Sequence, residues 1–512
     1  MVSAAFSADI ARGLTWELHE AGLTADSIAA HLGPDATDAL YRGEPGAVLA
    51  ACDGSRLSDL IRFFLLRRPF TPAKLADVLS PRLALALIDG GWATTTTSGD
   101  VVIAVDVRPH VIAGEDRFVF SDCDASVTQH VPGPDHVLGV GAASLSLLSA
   151  TPLTPVDSVL DLGTGSGVQA LAQSGCAQRV VATDVHPRAL DFARATMAGA
   201  GVNNVDIREG TWFEPVIGEK FDRIVANPPF VVGLPEVGHV YRDSGLNLDG
   251  ASELVVKKVP EHLSPNGTAF ILGAWIHADD EPWDRRVASW FPQTGVSAWM
   301  CQRDVVDPAL YVSTWLKDES VDPRSEDGIE RTRAWLQHFR DASVRAVGFG
   351  WIFIRNIGDA PSELTFETLD QPFTDPLGPE VEEYFTRIEW LRGSSQEDIL
   401  QARYAVRPGV ALEDVSVADV HTGMGFEQKV KRLTRTDGPR FTHDIDDAVA
   451  SIVSGLNPDG LPLSEIVGLW AAAQGLDDAQ EEALAVEATG IIVDLIRHGF
   501  VLPTDLISRH SA

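Results

Sequence analysis

At 512 residues, with 45% hydrophobic and 22% charged residues, the chain holds core material for two to four domains, and its net charge of -33 argues against broad, non-specific nucleic-acid binding because such a surface repels polyanions. Its four cysteines, Cys52, Cys123, Cys176 and Cys301, lie too far apart for a CxxC metal or redox motif, and a disulfide framework is not expected in a chain of this size. Acids such as Asp9, Glu17, Glu20 and Asp26 stud the N-terminal stretch, and no run of about 20 apolar residues follows. Neither a signal peptide nor a membrane span is expected, and the expected location is cytoplasmic.

Residues 1–110 read as helices followed by a hairpin. The run 57–66 has helical apolar spacing and stops at Pro69, and Thr71 with Pro72 supplies an N-cap and first position for the next helix. A further helix over 83–89 ends at Gly90-Gly91. Residues 92–97 and 101–107 then flank the turn Ser98-Gly99-Asp100. Helix, turn, helix and hairpin resemble a winged helix, with substrate recognition and simple packing or dimerisation equally open as roles. A short strand at 118–120, a turn at 132–134 and a helix start over 137–148 lead on, in a segment expected to pack over a cofactor cleft.

From 156 to 356 the pattern alternates. Strands are expected at 157–162, 179–184, 204–209, 221–227, 268–275, 296–302 and 345–355, with helical stretches such as 187–200 and 249–263 between them. Alternation of this kind predicts an α/β fold with a mainly parallel sheet covered on both faces, seven-stranded and Rossmann-like. The stretch 361–379, rich in proline and acid, reads as a linker. Helical patterns over 381–404, 463–473 and 478–499, with the apolar run 500–502, suggest a second helical, winged-helix-like unit. The expected domains are therefore 1–110, 111–358 and 359–512.

Three landmarks in fixed order carry the chemistry. The first, 159–167, reads VLDLGTGSG, an apolar strand running into a glycine-rich turn. Gly163, Gly165 and Gly167 suit a backbone that takes positive φ or lies against a ligand, and their order is not the GxGxxG of a dinucleotide site. The second is Asp184, ending the strand 180–184, where a carboxylate can accept both hydroxyls of a ribose. The stretch Gly210-Thr211-Trp212 after the third strand is the expected place for an adenine. The third landmark is Asn227-Pro228-Pro229-Phe230. The prolines fix the backbone and remove two donors, so carbonyl oxygens face the site without competing N–H groups. The Asn227 side-chain oxygen and the Pro228 carbonyl can accept the two protons of a substrate NH2, with Phe230 stacking on a planar amide or base.

These motifs resemble class I S-adenosylmethionine-dependent methyltransferases with an NPP(Y/F) corner, and in particular the HemK family. The resemblance spans 157 to about 275 and includes Phe213-Glu214-Pro215, the NPPF corner followed by Val231-Val232, and Leu263-Ser264-Pro265-Asn266-Gly267. Thr211 stands where many relatives carry Asp, and the flanking regions are far longer than in release-factor enzymes. The resemblance implies S-adenosylmethionine as cofactor, held by Asp161, Gly163, Thr164, Gly165, Gly167, Asp184, Gly210, Thr211, Trp212 and Asn227. It implies Asn227, Pro228 and Phe230 as catalytic residues, with Pro229 and Phe230 against the substrate. The acceptor it implies is a glutamine side-chain amide of a release-factor-like protein. A nucleobase of RNA or DNA (adenine N6 or guanine N2) is the alternative, and a non-catalytic cofactor-binding regulator is the alternative of another class.

Two further features bear on ligands. Lys429, Lys431, Arg432, Arg435 and Arg440 form a basic island that either contacts phosphates or pairs with acidic neighbours, the second being favoured. The 14 histidines include no HxH or HxxxH pattern, so no metal is expected. His239 and His277 read as surface residues near the functional edge of the sheet.

Overall fold

Apolar runs buried on both faces build the central sheet of this computed structural model, which describes residues 7–123, 133–235, 243–319 and 321–507. Its strands are β1 (Val156–Leu162), β2 (Ala177–Asp184), β3 (Val205–Glu209), β4 (Phe221–Ala226), β5 (Leu263–Ala278), β6 (Thr294–Val306), β7 (Val344–Pro361) and β8 (Glu363–Thr368). They lie in the order β8-β6-β7-β5-β4-β1-β2-β3. Strands β1 to β5 pair in parallel, and β7 runs antiparallel to both β5 and β6. The fold is thus the expected Rossmann-like α/β sheet, with eight strands in place of seven. The eighth comes from residues read as linker: 363–368 pair in parallel with β6, so the sheet continues past Pro361. Among the described residues, no helix is long and apolar enough to cross a membrane.

Strand order reverses at β1, which has β2 on one side and β4 on the other. Chains leaving the carboxyl ends of β1 and β4 therefore diverge and open a crevice between them. The three sequence landmarks sit at the carboxyl ends of β1, β2 and β4.

Residues Met1–Leu148 and Leu153–Thr368 make one compact unit, and Ser149–Pro152 with Leu369–Ala512 a second. In the first, helices Pro72–Val78 and Pro81–Asp89 precede the hairpin of Ala93–Thr95 with Val101–Ile103, as expected. The Thr71 side chain accepts from the Lys74 N–H at 3.2 Å as the N-cap. A second hairpin, Asp106–Ile112 with Glu115–Ser121, turns through Ala113 and Gly114, both at positive φ. The helix Ala8–Glu20 lies along the helix Pro187–Gly199: Thr15 Oγ1 donates to the Gly199 carbonyl at 2.9 Å, and the Phe120 N–H donates to Thr196 Oγ1 at 3.1 Å.

The second unit combines the expected helices Leu377–Gly393, Leu463–Gln474 and Asp478–Arg497 with a three-stranded antiparallel sheet over Val410–Ala418, Phe426–Arg435 and Thr442–Ile445. Four residues of the basic island, Lys429, Lys431, Arg432 and Arg435, lie on the middle strand and pair with acidic neighbours, and Arg440 lies beyond that strand. Lys431 pairs with Asp447 at 2.9 Å, Arg432 with Asp444 at 2.7 Å and Lys429 with Glu427 at 2.8 Å. Arg435 is buried, and with Arg387 it grips Glu380 at 2.8 and 2.7 Å.

Glu380 is the hinge of this unit's electrostatics. Burial alone would raise its carboxyl, but the charges of Arg387 and Arg435 outweigh burial and hold it at about 2, below the ordinary 4.5. Replacing it removes the carboxylate that two buried guanidinium groups share, leaving Arg387 only Glu383 and Arg435 only Asp437, each at 3.0 Å, as charged partners among the described residues. Glu380→Ala is therefore expected to cost this unit about 3–5 kcal/mol, read as a shift of its urea transition to lower denaturant. Because the folded pKa is depressed, the contribution is present above the unfolded value and is lost as pH falls towards about 2. Acid should therefore narrow the gap between variant and parent.

Candidate active site

The glycine turn leaving β1 is fastened to β2. Gly163 and Thr164 both donate backbone N–H groups to the Thr183 carbonyl, at 3.0 and 2.8 Å. Gly163 and Gly165 have φ of 73° and 55°, and a Cβ at either would point into open space. Backbone conformation and access for a ligand, not crowding by neighbours, require glycine there. Gly167 differs, since a Cβ would meet Met197 Cε at 3.0 Å. It lets the helix Val168–Ser174 start close against the helix 187–199 and does not line the site.

Asp184 ends β2 and faces the turn. Its Oδ2 accepts from the Gly165 N–H and its Oδ1 from the His186 N–H, both at 2.9 Å. Burial raises its pKa, against the pull of these two bonds. The helix 187–199 is capped instead by His186, whose Nδ1 accepts from the Arg188 N–H at 3.2 Å. The carboxylate is thus not used as a cap and is left to hold the turn and face the crevice. Asp161 lies beneath the turn. It is 1% exposed, and its Oδ2 accepts from Thr164 Oγ1 at 2.5 Å and the Ala170 N–H at 2.9 Å. Burial pushes its carboxyl up to about 6, with the charge of Asp184 adding to the rise. Asp161 sets the shape of the turn and reaches no ligand space.

Beyond β3, the Gly210 N–H donates to the Asp184 carbonyl at 3.0 Å, which ties this segment to the crevice. Trp212 takes φ of 50°, a left-handed conformation costing about 1–2 kcal/mol outside glycine. Strain of this kind persists where surrounding structure over-determines it, often at ligand sites.

The Asn-Pro-Pro corner leaves β4 and is braced from behind. The Val232 N–H donates to the Tyr311 hydroxyl at 2.7 Å, and Trp335 Nε1 donates to the Val232 carbonyl at 3.2 Å. Phe230 is half-buried and packs on the cluster containing Val232, Tyr311 and Trp335. It packs against the brace and is not among the residues that line the cavity described below.

These parts enclose one cavity of about 430 Å³. Gly163, Thr164, Gly165, Asp184, Gly210, Thr211, Trp212, Asn227, Pro228 and Pro229 all line it, so the structure unites ten of the residues singled out in sequence. Asp161, Gly167 and Phe230 do not. The segment expected to pack over the cleft contributes Val137, Leu138, Gly139 and Gly141. Sequence reasoning missed Gln169, His186, Asp243 and Ser244. His277 is buried, not on the surface, and bonds to Gln302 Oε1 at 2.7 Å away from the cavity. His239 lies outside the described residues. No group of three or more His, Cys, Asp or Glu could hold a metal ion among the described residues.

Charge distinguishes the possible ligands. Among the described lining residues there is no Lys or Arg, and the carboxylates Asp184 and Asp243 are present. These described residues offer nothing to neutralise a pyrophosphate, which a dinucleotide would need. They suit a cation. S-adenosylmethionine, a sulfonium with a ribose and a flat base, fits this lining: glycine backbone below, a carboxylate at the end of β2 and the Trp212 side at the far strand.

Comparison with known proteins agrees on the central region. A family described as Methyltransferase small domain matches residues 138–273, and two domains of unknown function match residues 20–104 (DUF7059) and 382–503 (DUF7782). A release factor glutamine methyltransferase of Xylella fastidiosa is 37% identical over 130 residues, 23% of this chain and 46% of its own. One from Aliivibrio fischeri is 36% identical over 178 residues, 32% of this chain and 58% of its own. The chain thus spans about half the length of the curated relatives it matches. A solved 16S rRNA N2 methyltransferase of T. thermophilus, in complex with AdoMet and guanosine, shares 19% identity over 41% of this chain and 55% of its own with a TM-score of 0.28, too distant to argue from. Residues 138–273 form a class I methyltransferase domain that is similar to part of the release factor glutamine methyltransferases, set between two domains whose families have no assigned function.

Proposed function

We propose that the protein is an S-adenosylmethionine-dependent N-methyltransferase whose acceptor is a glutamine side-chain amide of a release-factor-like protein. The observation that carries this reading is the meeting of an acid-lined, cation-suited cavity with the Asn227–Pro228 corner at its wall. When bound there, S-adenosylmethionine supplies an electrophilic methyl group on a positively charged sulfur. Asp184 accepts the ribose hydroxyls through the lone pairs its two backbone bonds leave over. Gly163 and Gly165 let the backbone approach closely, and Gly210, Thr211 and Trp212 flank the base.

The Asn227 side-chain oxygen and the Pro228 carbonyl accept the two amide protons of the substrate. An amide nitrogen is a poor nucleophile because its lone pair is delocalised into the carbonyl. Two acceptors on its protons raise electron density at nitrogen and fix its direction, so the corner works by orientation and electrostatics. The brace from Tyr311 and Trp335 limits drift of this corner.

The nucleobase reading loses support because Lys429, Lys431, Arg432 and Arg435 of the basic island pair with acids of their own unit. The decisive experiment is transfer of labelled methyl from S-adenosylmethionine by the full chain to purified release factor, total RNA or duplex DNA. Label on a glutamine of the release factor is the expected result. Label only in nucleic acid would move the assignment to the nucleobase alternative, and cofactor binding without any transfer would make the protein a regulator.

A further inference from the structure

One buried cluster joins the N-terminal domain to the wall of the cavity. Val137 and Ala189, which both line the cavity, pack in the same apolar core as Leu14, Trp92, Phe118 and Phe120. Asp122, directly after the hairpin of Asp106–Ile112 with Glu115–Ser121, makes the polar side of this joint. Its backbone N–H donates to the Val137 carbonyl at 3.0 Å, and its Oδ2 accepts from the Val137 N–H at 2.9 Å. The same carboxylate takes Arg188 in a bidentate pair, Oδ2 accepting from Nε at 2.9 Å and Oδ1 from Nη2. Arg188 stands in the first turn of the helix 187–199, which follows Asp184, and its guanidinium lies over Phe192 at 5.1 Å from the ring centre. Beyond Val137 the wall stays against the hairpin, since a Cβ at Gly139 would meet Ser121 Oγ at 2.8 Å. Neither Asp122 nor Arg188 lines the cavity.

We propose that Asp122 is a positioning residue for cofactor binding, through which the N-terminal domain completes the cavity. The assignment rests on the reading of that cavity as the S-adenosylmethionine site. One carboxylate holds two pieces of the wall that are remote in sequence: the segment around Val137 and the helix that continues from Asp184. A backbone N–H needs its acceptor along one direction, and a guanidinium fork meets a carboxylate in one plane. The two contacts together therefore fix where Val137 stands relative to Asp184. A wall segment free to move would have to be ordered at the moment of binding, whereas this latch orders it during folding. The coupling is reciprocal. If the fold of the N-terminal domain strengthens cofactor binding, bound cofactor stabilises that fold by the same factor. No residue of the hairpin 106–121 lines the cavity, so any response of the hairpin to cofactor travels through its joint with Val137 and the helix 187–199.

The test follows hydrogen exchange of the hairpin 106–121 in the full chain with and without S-adenosylmethionine, with the sheet 410–445 of the second unit as internal reference. In the parent, saturating cofactor should slow exchange in the hairpin more than in the reference. Asp122→Ala should weaken S-adenosylmethionine about 10–10²-fold in calorimetry and lose the hairpin's response at saturating cofactor. Asp122→Asn keeps an acceptor for the Val137 N–H but not the charge for Arg188, and its affinity should fall between those of Ala and the parent. In methyl transfer the loss should appear in KM for the cofactor, with kcat near that of the parent, because the reacting corner is untouched. Parent-like affinity in Asp122→Ala, a full hairpin response in that variant, or a loss confined to kcat would overturn the assignment while leaving the methyltransferase reading intact. So would a parent hairpin that slows no more than the reference, a result that needs no variant to fold. A parent protein that binds no S-adenosylmethionine would overturn both.

Discussion

Asn227→Ala is expected to lower methyl transfer about 10²–10³-fold while leaving affinity for S-adenosylmethionine near that of the parent. The magnitude is that of removing one polar group that stabilises charge developing in a transition state. Asn227 follows β4 directly and lines the cavity, where no hydrogen bond to another described side chain commits its amide. Its proposed partner is the substrate nitrogen, whose protons become more acidic as that nitrogen turns tetrahedral. The bond therefore strengthens along the reaction, and its loss falls on kcat more than on KM. The carbonyl of Pro228 survives the substitution and explains why activity falls and does not vanish. Asn227→Asp keeps an oxygen of similar reach and should retain part of the rate. Single-turnover transfer with saturating cofactor, beside calorimetry of the same variants, checks both halves. Unchanged turnover in Asn227→Ala would reduce the corner to a proline turn.

The parts of this site that were legible in sequence are those whose chemistry is local. Gly163, Gly165, Asp184 and the Asn-Pro-Pro corner each end a strand of the alternating pattern, and a parallel sheet brings successive carboxyl ends to one edge. What escaped were distinctions that only burial makes. Asp161 and Asp184 both lie in apolar strands close to a turn, yet one is sealed beneath the glycine turn and the other faces the crevice. Phe230 follows the corner as a stacking residue would, but Tyr311 and Trp335, remote in sequence, draw it into a brace. Asp243 carries no motif, and its place depends on the loop closing on Gly233.

The same contrast holds for the fold. Residues 106–121 form a hairpin whose Ala113-Gly114 turn lacks the Asn-Gly signal, so only part of its length was expected as strand. Residues 363–368 lie between Pro361 and Pro372, and the prolines hid an edge strand that needs a partner on one side only. The charged strands 410–418 and 426–435 bury few side chains, so period-two hydrophobicity could not reveal them.

Asp184→Ala is expected to weaken binding of S-adenosylmethionine about 10²-fold or more. Hydrogen bonds to a charged acceptor contribute about 1.5–3 kcal/mol each, and the proposed ribose contact has two. The structure adds a second consequence. The carboxylate also holds the Gly165 N–H at 2.9 Å, so Ala releases the glycine turn as well as the ribose. Asp184→Asn separates the two effects: its remaining oxygen can keep Gly165 or a hydroxyl, and its affinity should fall between those of Ala and the parent. Acid supplies an independent check. Burial raises the carboxyl's pKa in the empty site, whereas donors from a ribose favour the ionised form and lower it in the complex. Binding must then expel a proton below the free-state pKa, and affinity falls as pH drops through that raised pKa. That acid-side loss should be absent from Asp184→Asn. Calorimetry across pH that finds parent and variants equal would remove Asp184 from the ribose site and leave it as the tether of the turn.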